Sequence, residues 1–264
     1  MPRKTTTSTS RGAAAALVVA ACLTSVLSGC SSYDVTSPAD ARAHPAAAAA
    51  DGAAGAGAGA GVDCAEERCI ALTFDAGPSE HTPLLLDILK EKKVRATFFL
   101  LGKNHVVKHP ELVKREADEG HEIANHTWSH KILTDIGSDA VREELERTQD
   151  AIAKITGHRP TLMRPPQGRT DDAVTDVSRE LGLAQVLWSA TAKDYSTTDS
   201  ALIEKRILDQ ADRDGIILLH DIYDGTVPAV PGIIDELKKR GYTFVTVPEL
   251  LAPGTPEPGK VYRP

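Results

Sequence analysis

The sequence predicts an α/β domain in which parallel strands alternate with helices and close into a distorted β/α barrel. Three observations lead there. From residue 69 onward, short apolar runs alternate with amphipathic helical stretches, the pattern of a parallel sheet. Five of those runs are followed by groups suited to chemistry: Asp75, the pair His126 and His130, Arg164, Asp194 and His220. In a β/α barrel the C-terminal strand ends meet at one mouth, where active sites are built. Finally, no glycine-rich loop joins a strand to a helix. The glycines of residues 55–61 match such a pattern loosely, but neither a strand nor an apolar helix flanks them.

The elements follow in order. The run 70–74 reads as the first strand. Leu85, Ile88 and Leu89 share one face of a helix over 84–93. A strand at 96–101 precedes a helix at 110–119, which Gly120 stops. A brief strand at 122–124 leads to a long helix at 138–156, with Ser138 as its N-cap and Gly157 closing it. Then come a strand at 161–163, a helix at 171–181 ended by Gly182, a strand at 184–188 and a helix at 201–212. The strongly apolar strand 215–219, a helix at 231–240 and a strand at 242–247 complete the set. Residues 63–251 therefore form the expected folded domain. Residues 252–264, rich in Pro and Gly, read as a tail.

The N-terminus reads as an export signal. Arg3, Lys4 and Arg11 precede a short apolar run at 13–23, too short for a comfortable membrane span. Leu27-Ser28-Gly29-Cys30 follows and resembles the lipobox of bacterial lipoproteins, in which cleavage leaves the cysteine N-terminal and acylated. The alternative is an ordinary secretory signal cut nearby. The expectation is a signal over 1–29, lipid on Cys30, an Ala/Gly-rich tether over 30–62, and a bacterial envelope location facing the cell wall. Losing residues 1–29 takes the formal charge from −7 to −10, so nothing recommends nucleic acid as a partner. At 41% hydrophobic and 4% aromatic, the chain has a sizeable but aliphatic core, and it is expected to be a monomer. Cys64 and Cys69, five apart in an oxidising compartment, read as a local disulfide; a two-thiolate metal site is the alternative.

His126 and His130 lie four apart. On a helical turn, or a turn leading into one, side chains so spaced share a face. Two neutral imidazoles can then address one divalent cation such as zinc.

Five ordered motifs now carry a resemblance: Thr73-Phe74-Asp75-Ala76-Gly77-Pro78, His126-Thr127-Trp128-Ser129-His130, Arg164-Pro165-Pro166-Gln167-Gly168, the stretch from Trp188 to Tyr195, and Leu218-Leu219-His220-Asp221. Over roughly residues 68–250 the chain resembles the polysaccharide deacetylase, or NodB-homology, family. The resemblance implies a distorted β/α barrel of that type and hydrolysis of an N-acetyl group on a sugar. By it, Asp75 is the general base and Arg164 its partner. His126 and His130 hold a divalent metal, zinc by expectation. The Gln167 backbone N–H helps receive the oxyanion, Leu218 lines the acetyl pocket, and Tyr195, inside the fourth motif, is a candidate for contact with the glycan. His220 is the general acid, oriented by Asp194. Trp128 is a further candidate for the groove.

The sequence departs from the family at four of these positions. Ala76 stands where a second Asp commonly supplies a third metal ligand, and a methyl group cannot ligate. Thr191 replaces a common Asp, Tyr195 a Trp and Gln167 a Tyr. Three readings follow: an active N-deacetylase with an altered metal site, a hydrolase of another substrate such as O-acetylated xylan, or a glycan-binding relative without turnover. Retention of base, Arg, acid and orienting Asp favours catalysis. Peptidoglycan and chitin-like oligosaccharides are the substrates within the family's reach.

Overall fold

The computed structural model describes residues 1–5, 34–45 and 62–264. The signal from residue 6 onward, the lipidation position Cys30 and the glycine run at 55–61 lie outside the described residues.

The elements in chain order are β1 (Val35–Thr36), α1 (Pro38–Ala43), β2 (Cys69–Asp75), α2 (Thr82–Lys92), β3 (Thr97–Leu100), α3 (Pro110–Asp118) and β4 (Glu122–Asn125). Next come α4 (Ser138–Thr156), β5 (Leu162–Met163), α5 (Asp172–Glu180), β6 (Ala184–Val186), β7 (Ala190–Thr191) and α6 (Ser200–Gln210). The last are β8 (Gly215–His220), α7 (Thr226–Lys239), β9 (Thr243–Val245), α8 (Val247–Leu251) and β10 (Val261–Tyr262). Gly137, not Ser138, takes the N-cap of α4, while Gly157 closes that helix in the left-handed conformation. Helix α7 begins at Thr226, ahead of the expected 231, and carries Pro231 inside it.

The strands form one sheet of order β1-β10-β6-β5-β4-β3-β2-β8-β7, with β9 beside β2, and every pairing is parallel. Barrel curvature comes from one extended segment. Ala184 and Gln185 of β6 pair with β5, and after the three residues that follow Val186, Ala190 and Thr191 pair with β8 toward the far end of the sheet. The strand expected at 184–188 thus ends at Val186, and a further strand, β7, follows it; together they bring the two ends of the sheet toward each other.

Alternation sorts the side chains. Ile70, Leu72 and Phe74 of β2 and Ile217 and Leu219 of β8 pack outward with the helices. Cys69, Ala71 and Ile216 point inward, with Phe99, Ala124, Leu162, Ala184 and Val186. Successive strand residues face opposite sides, so Asp75 and His220 must share the inner face, and they lie opposite one another in register.

Two regions differ from expectation. Within the expected tether, β1 pairs with β10, Ala41 is buried, and Arg42 bonds Asp214 (2.7 Å) and the Leu250 carbonyl (2.8 Å). The expected tail is not a tail either. β10 pairs with β6, and Tyr262 is fully buried, its hydroxyl accepting from the Glu257 N–H. Both segments are short and of loop-like composition, and only their pairing reveals them as strands. Cys64 and Cys69 are joined by a disulfide at the start of β2 (Cα–Cα 5.4 Å).

Candidate active site

The inner faces of β2 and β8 end in a cavity of about 1000 Å³ at the C-terminal mouth of the barrel. Asp75, His126, His130, Gln167, Tyr195, Leu218 and His220 line it. Arg164 and Asp194 lie behind that lining, each bonded to one of the acidic or imidazole groups.

Arg164 leaves β5 and crosses the barrel interior without any exposure. Its Nη1 donates to Asp75 Oδ1 (2.6 Å) and Thr73 Oγ1 (2.8 Å), and its Nε to the Val186 carbonyl (3.0 Å). The guanidinium lies 4.0 Å over the Phe99 ring. This fixes one carboxylate oxygen of Asp75 and leaves Oδ2 toward the cavity.

His220 is held on the neighbouring strand, β8. Asp194 Oδ1 lies 2.8 Å from its Nδ1, and Asp194 Oδ2 accepts from the His220 N–H (2.7 Å) and from Thr226 Oγ1 (2.8 Å). With Nδ1 committed to a carboxylate, Nε2 is the nitrogen left for substrate. Burial pulls the imidazole pKa down, but the hydrogen bond and charge of Asp194, with Asp75 behind, outweigh it, and the net shift is upward.

His126 follows β4 and is buried. Its Nδ1 is 2.8 Å from the Arg164 carbonyl, which can only accept, so Nδ1 carries the proton. The Nε2 lone pair therefore faces the cavity, 3.8 Å from Asp75 Oδ2. Burial drops this pKa to about 4 against the pull of Asp75, so the ring is neutral at neutral pH. His130 stands exposed at the rim, its ring centroid 5.0 Å from that of His126. Burial also lowers its pKa, though Asp75 opposes this.

The two imidazoles meet across a tight loop, not on a helical turn. Thr127 (φ 74°) and His130 (φ 63°) are both left-handed. Asn125 Oδ1 accepts from the Thr127 N–H (2.7 Å), and Thr127 Oγ1 from the His130 N–H (3.0 Å). Glu144 of α4 accepts from both the N–H and hydroxyl of Ser129, each at 2.7 Å. Left-handed non-glycine residues recur around the cavity at Ala76, Gln167 and Lys193. Each such position costs roughly 1–3 kcal/mol and tends to gather where function demands a particular backbone.

Ala76 borders the cavity beside Asp75. Among the described residues no group of three or more His, Cys, Asp or Glu side chains is arranged to hold a metal. Gln167 lines the cavity, and its N–H has no acceptor among the described residues. Tyr195 is 60% exposed at the lip, and Leu218 lies in the wall. Trp128 is not in the groove: its ring packs on Gly102 and stacks beneath Arg147 (4.2 Å).

Several contributors had no role expected from the sequence, though Thr73 and Trp188 lie within its motifs. Trp188, Ile222 and Tyr223 line the cavity, and Thr73, Glu144 and Thr226 position its side chains. Thr73 was legible in principle, since it is two residues before Asp75 and so shares its inward face. The others depend on contacts between segments far apart in sequence.

Comparison with known proteins points the same way. The family model described as polysaccharide deacetylase matches residues 63–186. A peptidoglycan-N-acetylglucosamine deacetylase of Listeria monocytogenes, PgdA, is 41% identical over 182 residues, covering 69% of this chain and 38% of that protein. The chain thus spans little more than a third of that relative. A peptidoglycan-N-acetylglucosamine deacetylase of Bacillus cereus is 39% identical over 191 residues, covering 70% of this chain and 89% of that protein. Among solved structures, a deacetylase with bound substrate superposes with TM-score 0.73 at 40% identity, covering 76% of this chain and 100% of the other.

Proposed function

Because the chain belongs to the polysaccharide deacetylase family, we propose that it removes acetyl groups from the amide nitrogen of an N-acetylglucosamine-containing glycan, with peptidoglycan as the substrate class. One observation carries this reading. Two proton-transfer groups, each oriented by its own buried partner, face one cavity: Asp75 held by Arg164, and His220 held by Asp194.

The chemistry follows from that arrangement. Asp75 Oδ2 takes a proton from water as the water oxygen attacks the acetamide carbonyl carbon. The Gln167 N–H receives the developing oxyanion. His220 Nε2 delivers a proton to the sugar nitrogen as the C–N bond breaks, giving acetate and a free amine. Leu218 forms part of the apolar wall against the acetyl methyl.

Metal dependence is general among deacetylases of this family. The residues here fit a divalent cation of the zinc type through two imidazoles: burial keeps His126 neutral with its Nε2 toward the cavity, and the pKa of His130 is lowered in the same sense. Such a cation supplies Lewis acidity toward the acetyl oxygen and lowers the pKa of water.

The test is release of acetate and amine from an N-acetylated glycan by the purified full chain, with Asp75→Asn alongside. Activity in the parent that the variant loses supports the reading; no release from peptidoglycan fragments or chitin oligomers removes it. Ala76 favours a second reading, a glycan-binding relative without turnover, which binding without release would establish.

The N-terminal features support an exported lipoprotein anchored at Cys30, placing the site before the cell wall. Fatty-acid labelling lost in Cys30→Ser tests this; labelling that persists removes it.

A further inference from the structure

Asp221 follows His220 at the end of β8. His220 lines the cavity, whereas the Asp221 side chain is fully buried and turned toward the loop that joins β2 to α2. That loop, residues 76–81, carries the chain away from Asp75, and it meets Asp221 at three places. A side chain at Gly77 would stand 2.8 Å from Asp221 Oδ2 and closer to Oδ1, so the main chain there lies directly against the carboxylate. Ser79 Oγ donates to the Asp221 carbonyl (2.6 Å). Thr82 Oγ1, at the start of α2, donates to Asp221 Oδ2 and accepts from the Ser79 N–H (2.7 Å). On its other flank the loop is tied to the segment after β3. The Leu101 N–H donates to the Gly77 carbonyl (3.2 Å), and His105 Nδ1 lies 3.0 Å from the Pro78 carbonyl.

The carboxylate is kept at a cost. Burial pushes the Asp221 pKa up to about 6, against the pull of the Thr82 hydroxyl and of His220 and His81. Oδ1 has no hydrogen-bond partner among the described residues. Glu116 of α3 is equally buried, with both its carboxyl oxygens unpartnered among the described residues. Burial first, then the Asp221 charge, holds its pKa well above the usual carboxylate range. A side chain kept for packing alone needs no charge, and an apolar or neutral group of the same shape would cost less there.

We propose that Asp221 is a positioning residue: it holds the loop leaving Asp75 against the end of β8, and so fixes the spacing of base and acid. Asp75 and His220 are register partners at the ends of their strands, and beyond that pairing Asp221 is what joins the two chain segments. The proposal rests on reading the cavity as a deacetylase site. It gives a role to a buried group that touches neither substrate nor reacting atoms.

Steady-state acetate release from an N-acetylglucosamine oligomer by the full chain tests it, with Asp221→Ala, Asp221→Asn and Thr82→Val alongside. In Asp221→Ala, kcat should fall about tenfold or more while KM stays within about twofold, the signature of misplaced groups. Asp221→Asn keeps the shape and an acceptor for Thr82, so it should restore most of kcat and melt no lower than the parent. Thr82→Val should lower kcat in the parent and add nothing in Asp221→Ala. Histidine NMR titration reads the same site without turnover. The Asp75 charge helps raise the His220 pKa, so that pKa should fall in Asp221→Ala and recover in Asp221→Asn, which carries no charge either. An unchanged kcat in folded Asp221→Ala overturns the proposal, as does a loss that Asp221→Asn does not restore. If Asp221→Ala does not fold, an unchanged kcat in Thr82→Val overturns it. A titration that moves and recovers in a chain releasing no acetate leaves the positioning role and removes the deacetylase. Acetate release with kcat and titration both unmoved does the reverse.

Discussion

On one side of the cavity, Asp75 is locked to Arg164 and Thr73, and His220 is locked to Asp194, which is itself held by Thr226. On the other side, His126 is fixed by a carbonyl, His130 stands exposed at the rim, and Ala76 offers only a methyl group. In the proposed mechanism the acid–base side is complete with protein atoms alone, whereas the two-imidazole side would depend on an added cation. Proton-transfer groups need orientation before substrate arrives, while a cation brings its own geometry and can share ligands with substrate or water. The chain therefore retains the part of the site that cannot be borrowed.

The comparison can be broken from the complete side first. Asp75→Asn keeps the shape and removes the base, and kcat should fall by about 100- to 10,000-fold. A smaller loss would assign the base elsewhere. Arg164→Met leaves the Asp75 carboxylate buried without its cation. Denaturant unfolding should show a loss of about 3–5 kcal/mol, and an unchanged midpoint would mean the pair is not buried in solution.

Ala76→Asp sharpens the incomplete side. Ala76 already has φ 68°, a conformation Asp tolerates better than Ala, so the change adds a ligand without adding strain. Zinc affinity should rise by about 10-fold or more, as expected for a site gaining a third protein ligand. No rise would mean a replacement ligand already exists.

The pH dependence separates the two sides more finely. The upward shift of the His220 pKa keeps the acid protonated to higher pH, so activity should persist below the folded pKa and decline as pH rises through it. Asp194→Asn should move that alkaline limb to lower pH. His126 works in the opposite sense: its folded pKa of about 4 favours the neutral ring. Its contribution to stability is therefore complete above the ordinary histidine value and is lost as pH falls from about 6.5 toward 4. His126→Gln should flatten part of the loss of stability over that range.

Much of this was legible because strand chemistry is local. Alternation along residues 70–74 and 215–219 sets Asp75 and His220 on one face, and the five motifs arrive in barrel order. What escaped depends on distant partners. Val261 and Tyr262 read as a tail because two residues show no period, yet they are buried by pairing with β6. The His126–His130 loop looked helical by spacing. Its left-handed turns are stabilised by Asn125 and Thr127 nearby and by Glu144 one helix away, contacts that spacing does not encode. Tyr223 carries no motif, and it reaches the cavity only because the chain turns sharply after β8.

The most direct measurement is acetate release from a peptidoglycan-type oligosaccharide across a zinc titration, comparing the parent chain with Ala76→Asp. The account predicts turnover by both, with the parent saturating at higher zinc and Asp75→Asn inactive throughout. Turnover by Ala76→Asp alone, with none from the parent at any zinc concentration, would contradict it and make this chain a glycan-binding protein one carboxylate short of an enzyme.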